Sequence, residues 1–182
     1  MHPPSSKGEL RQSKVGKNTF AALARFPLYV VLDDLKSTYN VGSIFRLADA
    51  LLVSKLYLCG RTPLPPNYKI KTTSRGTERW VPWEHRQSTE ETVQELKNAG
   101  THILCAEICA DSIDYKKMKP IFPACLVLGR EYDGISPKVL ELADSVVSLP
   151  IFGMTNSLNV ATTASVLLYE LYQMVGNHAE IA

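Results

Sequence analysis

The segment Ala124-Cys125-Leu126-Val127-Leu128-Gly129-Arg130-Glu131-Tyr132-Asp133-Gly134 decides the architecture. Five apolar residues run without a break into a turn bounded by two glycines. An unbroken apolar run, rather than an alternating one, marks a strand covered on both faces, the usual state of a parallel sheet. Leu28 to Asp33, Lys55 to Cys59, His102 to Ala106 and Ser145 to Leu149 read the same way. Between these runs lie helical patterns. Asn40 is expected to cap a helix whose Ile44, Leu47, Ala48 and Leu51 form an apolar stripe, with Arg46 off that stripe. Further helices are expected from Ser88 to Ala99 with Gly100 as the stop, from Pro137 to Ala143, and from Ser157 to Val175 with Gly176 as the end. The alternation predicts an α/β fold with a mostly parallel sheet of about five or six strands and helices on both faces.

The rest of the sequence bounds this reading. A chain of 182 residues, 45% hydrophobic and 21% charged, fits one soluble globular domain. Residues 1 to 18 are polar and carry Lys7, Arg11, Lys14 and Lys17 against Glu9 alone, so they are expected to form a flexible basic tail ahead of a folded domain at 19–182. The net charge of +2 conceals a second basic segment, Arg61 to Arg86, with six cations and two acids. Clustering of this kind suits a polyanion-binding face, although a solvated loop would look the same. The apolar runs are too short to span a bilayer and no signal-like stretch opens the chain, which predicts a cytoplasmic protein with no membrane partner. Cys59, Cys105, Cys109 and Cys125 form no C-x-x-C pair and the four histidines are scattered, so no metal site is expected.

In open α/β sheets ligands bind beyond the carboxyl ends of the strands, which directs attention to the loops after Asp33, Leu128 and Leu149. Neither a G-x-G-x-x-G fingerprint nor a phosphate-binding P-loop is present, which removes the common dinucleotide and ATP-hydrolysing readings. Instead, the apolar run to Leu128 leads into Gly129-x-Glu131-x-x-Gly134, where glycines let backbone groups approach a flat ligand. After Leu149-Pro150 comes a loop with Gly153, then Ser157-Leu158-Asn159 at a helix start. Backbone groups of Leu149, Ile151 and Leu158 can hydrogen-bond an adenine edge while their side chains cover its faces.

Taken with Asn40, Gly42 and Arg46, these segments resemble the three motifs of the SpoU/TrmH family of RNA 2′-O-ribose methyltransferases, in the SPOUT superfamily. The likeness spans about residues 27 to 175, with the motifs in order. Tyr132, Ile151 and Ala161 depart from the usual residues and bear on pocket shape. The resemblance implies a deep C-terminal trefoil knot, S-adenosyl-L-methionine as methyl donor, a homodimer that completes the active site, and transfer to a ribose 2′-hydroxyl of tRNA or rRNA. It places the donor at Leu128, Gly129, Gly134, Leu149, Ile151, Ser157 and Leu158. It implies that Arg46 stands at the target hydroxyl, as a base or as an electrostatic stabiliser; that Asn40 holds Arg46 or a phosphate; that Glu131 anchors the knot loop or orients Arg46; and that Ser157 and Asn159 fix loop geometry near the donor. A guanidinium, with a pKa above about 12, suits stabilisation better than base duty.

RNA capture is expected on the basic segment through Lys71, Arg75 and Arg79. Trp80 and Trp83 there either face an unstacked base or pack the segment onto the core. Two competing functions remain at this level: a non-catalytic RNA-binding or assembly protein of the same fold, and a knotted enzyme that methylates an RNA base.

Overall fold

The computed structural model describes residues 23–176, together with Gly8, Thr19 and Phe20. The tail expected over residues 1–18 lies, Gly8 apart, outside the described residues. Seven strands, β1 (Phe26–Asp33), β2 (Val53–Cys59), β3 (Trp83–Arg86), β4 (His102–Ala106), β5 (Ile113–Asp114), β6 (Ala124–Leu128) and β7 (Ser145–Ser148), form one sheet. Their order is β3-β2-β1-β6-β4-β7-β5, and every pairing is parallel. β6, the unbroken apolar run ahead of Gly129, is wholly buried between β1 and β4.

Among residues 23–176 five α-helices accompany the sheet: α1 (Thr38–Ala50), α2 (Tyr68–Ser74), α3 (Thr89–Asn98), α4 (Pro137–Leu140) and α5 (Val160–Gly176). They cover both faces, as the unbroken strands require. On one face Val30, Leu32, Leu126 and Leu128 meet Ile44 and Phe45 of α1 and Leu167, Leu168 and Leu171 of α5. On the other, Val31, Cys105, Cys125 and Val127 meet Val93 of α3 and Val139 of α4. Each fully buried leucine or valine contributes about 1.5–3 kcal/mol. The strand thiols belong to this core: burial pushes Cys59 up to about 11 and Cys105 up to about 12, so both stay protonated and unreactive.

Two helix starts differ from the reading of the sequence, and both differences matter for the site. Ser37, not Asn40, caps α1, its hydroxyl accepting from the Asn40 N–H at 3.3 Å. Asn40 is therefore inside the helix with its amide free for other partners. α5 begins at Val160 rather than near Ser157, because Asn159 Oδ1 accepts from the Ala161 and Thr162 N–H groups at 2.9 and 3.4 Å. The region read as a loop from Arg61 to Arg86 holds α2, a 3-10 turn at Thr77–Arg79 and edge strand β3. α2 escaped detection because Ile70 is its one buried apolar side chain. It lies so close to α1 that a Cβ on Gly42 would run into Thr73 Oγ1 and come within 2.7 Å of Ile70 O. No helix among the described residues is long and apolar enough to cross a membrane.

Candidate active site

The parallel register brings Leu32, Leu128 and Ala106 to one level, with Val147 beside Ala106. Beyond these strand ends lies a cavity of about 530 Å³. Every donor candidate named from the sequence lines it: Leu128, Gly129 and Gly134 from the loop after β6, and Leu149, Ile151, Ser157 and Leu158 from the loop after β7. Glu131 and Asn159 line it as well.

The geometry explains each position of the Gly-x-Glu-x-x-Gly segment. Arg130 and Gly134 exchange backbone hydrogen bonds of 3.1 Å in both directions, closing a tight hairpin. A Cβ at Gly129 would stand 2.5 Å from the Gly134 carbonyl carbon and from Ile135 N, so only glycine lets the loop fold back on itself. Gly134 has φ +65°, and a side chain there would collide with the carboxylate of Glu107. Glu107 itself braces the loop, accepting from Ile135 N at 2.9 Å and from its neighbour Ile108 N at 3.0 Å. The sequence pattern did not mark Glu107. A lone acid after an apolar strand carries no motif, and its significance depends on a loop 28 residues away.

Glu131 points from this hairpin to the start of α1. Its carboxylate accepts from Lys36 N (3.1 Å), Ser37 N (3.1 Å) and Asn40 Nδ2 (3.0 Å). Partial burial pushes this carboxyl up, but the N–H donors of Lys36 and Glu131 itself, the Asn40 amide and Ser37 N–H together hold it below its ordinary value. Asn40 is shared: its Oδ1 accepts from Asn159 Nδ2 at 3.1 Å. One chain of hydrogen bonds thus joins the three motifs through Glu131, Asn40 and Asn159, the residues read from the sequence as a set. Ser157 is exposed; its carbonyl accepts from Thr155 Oγ1 at 2.9 Å, which shapes the turn ahead of the helix.

Arg46 stands apart. It is exposed on α1, outside the cavity lining, and among the described residues it makes no hydrogen bond or ion pair. Neither Asn40 nor Glu131 bonds it: both are committed to each other and to Asn159 or the α1 start, so of the two roles expected for Glu131 the hydrogen bonds agree with anchoring its loop and not with orienting Arg46. Lys71 and Arg75 are exposed at α2, and Arg79 reaches only Glu78, at 3.9 Å. The tryptophans anchor this segment rather than present it. Trp80 Nε1 donates to Asp49 Oδ1 at 2.6 Å, and Trp83 packs edge-on against Phe45. Trp80 nonetheless stays 43% exposed, and Tyr68 at the start of α2 is more so, at 82%.

Comparison with known proteins agrees with this geometry. The SpoU rRNA Methylase family matches residues 27–169. A tRNA (guanosine(18)-2′-O)-methyltransferase of Aquifex aeolicus is 32% identical over 144 residues, which are 79% of this chain and 67% of that protein. The Escherichia coli K12 protein of the same description is 29% identical over 146 residues, covering 79% and 62%. The chain thus spans about three fifths to two thirds of these relatives' length. Among solved structures, the A. aeolicus TrmH/SpoU tRNA modifying enzyme superposes with a TM-score of 0.79 at 28% identity, covering 87% of this chain and 81% of that one. The SpoU methyltransferase AviRb of Streptomyces viridochromogenes, solved in complex with the cofactor AdoMet, gives 0.75 at 28%, covering 89% and 65%. With the matched region holding all three motifs and the cavity they build, this chain belongs to the SpoU methylase family.

Proposed function

We propose that this protein transfers a methyl group from S-adenosyl-L-methionine to a ribose 2′-hydroxyl of tRNA or rRNA. The observation that carries the reading is the Glu131–Asn40–Asn159 chain beside a cavity walled by a hairpin that closes only with glycine at positions 129 and 134. The site suits the donor on its own terms. Its volume is that of a small-molecule pocket, and Leu149, Ile151 and Leu158 offer apolar faces with backbone groups at hand for an adenine. The bound donor supplies an electrophilic methyl on a sulfonium.

The protein's own residues then have separable tasks. Gly129 and Gly134 keep the cavity open to the backbone. Glu131 and Asn40 lock the hairpin to α1, and Asn159 locks α5 to both. Arg46 steadies the charge that develops on the ribose oxygen as its proton leaves, an electrostatic role a permanent cation fills well. Lys71, Arg75 and Arg79 hold RNA phosphates.

Further parts of the reading rest on the family and on surface chemistry. Residues 19–182 form the catalytic domain, and the chain is knotted where it returns from β7, near the β5 edge, and α5 packs on α1 and β6. The protein works as a cytoplasmic homodimer, with no membrane or metal partner. In support of the dimer, Phe152, Met154, Leu158, Val166 and Tyr169 form an exposed apolar set on the third-motif loop and α5. Because Arg46 lies outside its own chain's cavity, the dimer is what brings it to a donor, that of the second copy.

The test is transfer of labelled methyl groups to RNA fractionated by size, followed by nuclease digestion of the modified fraction. The label is expected in a 2′-O-methylated nucleoside. Label in a base, or none with either RNA class, overturns the reading.

A further inference from the structure

We propose that Arg130 holds the α-carboxylate at the amino-acid end of the methyl donor, an assignment that rests on the donor reading above. Arg130 is the one cationic residue among the described residues lining the cavity, whose lining also includes two acids, Glu107 and Glu131. Neither acid is available to it. Glu107 is engaged by Ile135 and Ile108, and Glu131 by Lys36, Ser37 and Asn40. Asp34, whose carboxyl is held below its ordinary value by Arg61 and, least of its causes, by the charge of Arg130, is hydrogen-bonded by Arg61 through Nε at 3.2 Å and Nη2 at 2.7 Å and by no atom of Arg130. What remains is Asp133, three residues along the same hairpin, 3.9 Å away and largely exposed. The Arg130 Nε is buried and has no hydrogen-bond partner among the described residues.

An enclosed donor without a partner costs about 1–3 kcal/mol, so a site that keeps one is shaped for a group that arrives later. A carboxylate lying along the Nε–Nη edge of a guanidinium satisfies both donors at once, a geometry that a point cation such as lysine cannot match. The methyl donor carries such a group. Its sulfonium and amino group suit a cavity with two acids, whereas its carboxylate would be repelled there unless one cation met it. The hairpin holds Arg130 in place, since its own N–H and carbonyl are both bonded to Gly134. The carboxylate is the same before and after methyl transfer, so Arg130 acts on binding and not on the chemical step.

The experiment is calorimetric titration of the full chain with two ligands, S-adenosylhomocysteine, which keeps the amino-acid end, and 5′-methylthioadenosine, which lacks it. Arg130→Met, similar in reach, is expected to weaken the first about 10- to 100-fold, the worth of one charge-assisted pair, and to leave the second unchanged. Arg130→Lys should recover part of the loss. In turnover, the donor KM rises while kcat holds. Equal weakening of both ligands would assign Arg130 to pocket shape and overturn the proposal, as would no weakening of either. A fall in RNA affinity with both ligands unchanged would hand Arg130 to a phosphate and overturn it too. A wild-type chain that binds neither ligand overturns the donor reading itself, which separates that failure from this one.

Discussion

The cavity beyond the end of β6 and the outer face of α1 and α2 are built on opposite plans. Around the cavity the polar groups of the motif residues and their brace are committed: Glu131 has three donors, Glu107 two, and Asn159 both caps α5 and bonds Asn40. Along the outer face, Arg46, Lys71 and Arg75 are exposed, with no ion-pair partner among the described residues. The difference teaches where pre-organisation is feasible. A small donor of fixed shape can be met by a finished pocket, whereas a large, flexible polyanion is met by cations whose partners arrive with it.

The contrast can be broken, most sharply at Arg46. Arg46→Ala should lower methyl transfer about 10²- to 10³-fold, as loss of an electrostatic stabiliser does, while donor affinity by calorimetry stays unchanged. Mixed with a Gly129→Glu chain, which keeps Arg46 but cannot take donor, it should recover about a quarter of wild-type activity if each cavity is served by the second copy's arginine. No recovery would place Arg46 on its own chain's cavity. Next in size is Glu131→Gln, which disturbs the bonds that fasten the hairpin to α1. A loss of about 2 kcal/mol, and a Tm lower by about 5 °C, should accompany loss of donor binding. An unchanged Tm would reduce Glu131 to a bystander.

The depressed Glu131 carboxyl gives the pocket a signature in pH. Because its folded value lies below its unfolded one, its stabilisation is fully present above the ordinary carboxylate value near about 4.3. It fades as the pH falls through the lower, folded value. Wild type should therefore lose stability on acidification below about pH 4 more steeply than Glu131→Gln, read from urea midpoints. The smallest effect belongs to the open face. Changing Lys71 and Arg75 together to Ala should weaken RNA binding by a few-fold near physiological salt and reduce the slope of log K against log salt by about two. An unchanged slope would remove α2 from the RNA surface.

Legibility in the sequence divides along the same line. Strands β1, β2, β4, β6 and β7 announced themselves through continuous apolar stretches, complete in β6 and shortest in the Val-Val pair of β7. β3, whose sequence is Trp-Glu-His-Arg, and β5, two residues long, did not, since edge strands need no such run. The residues of the pocket were readable as a set, because glycines, an acid and two asparagines recur at fixed positions in three loops. Their wiring was not. Asn40 looks like a helix cap in sequence, and only the Ser37 hydroxyl, three residues earlier, displaces it into its tertiary role. Glu107 and Arg130 were missed for a related reason. Each matters through a group distant in the chain or through the lack of one, and neither leaves a local pattern.

The bond between Asn159 and Asn40 joins residues 119 apart in the chain. At a synthesis rate of about 5–20 residues per second, Asn40 leaves the ribosome some 6 to 24 s before its partner is even made. β1 shares that wait, with β2 available early on one side and the other side bare until β6 emerges about 90 residues later. For those seconds its Leu28-to-Leu32 stretch is an open strand edge, the kind of surface that draws aggregation or a chaperone. The pocket closes last, so a truncated product that lacks α5 displays the exposed cations of α1 and α2 on a body without a finished pocket.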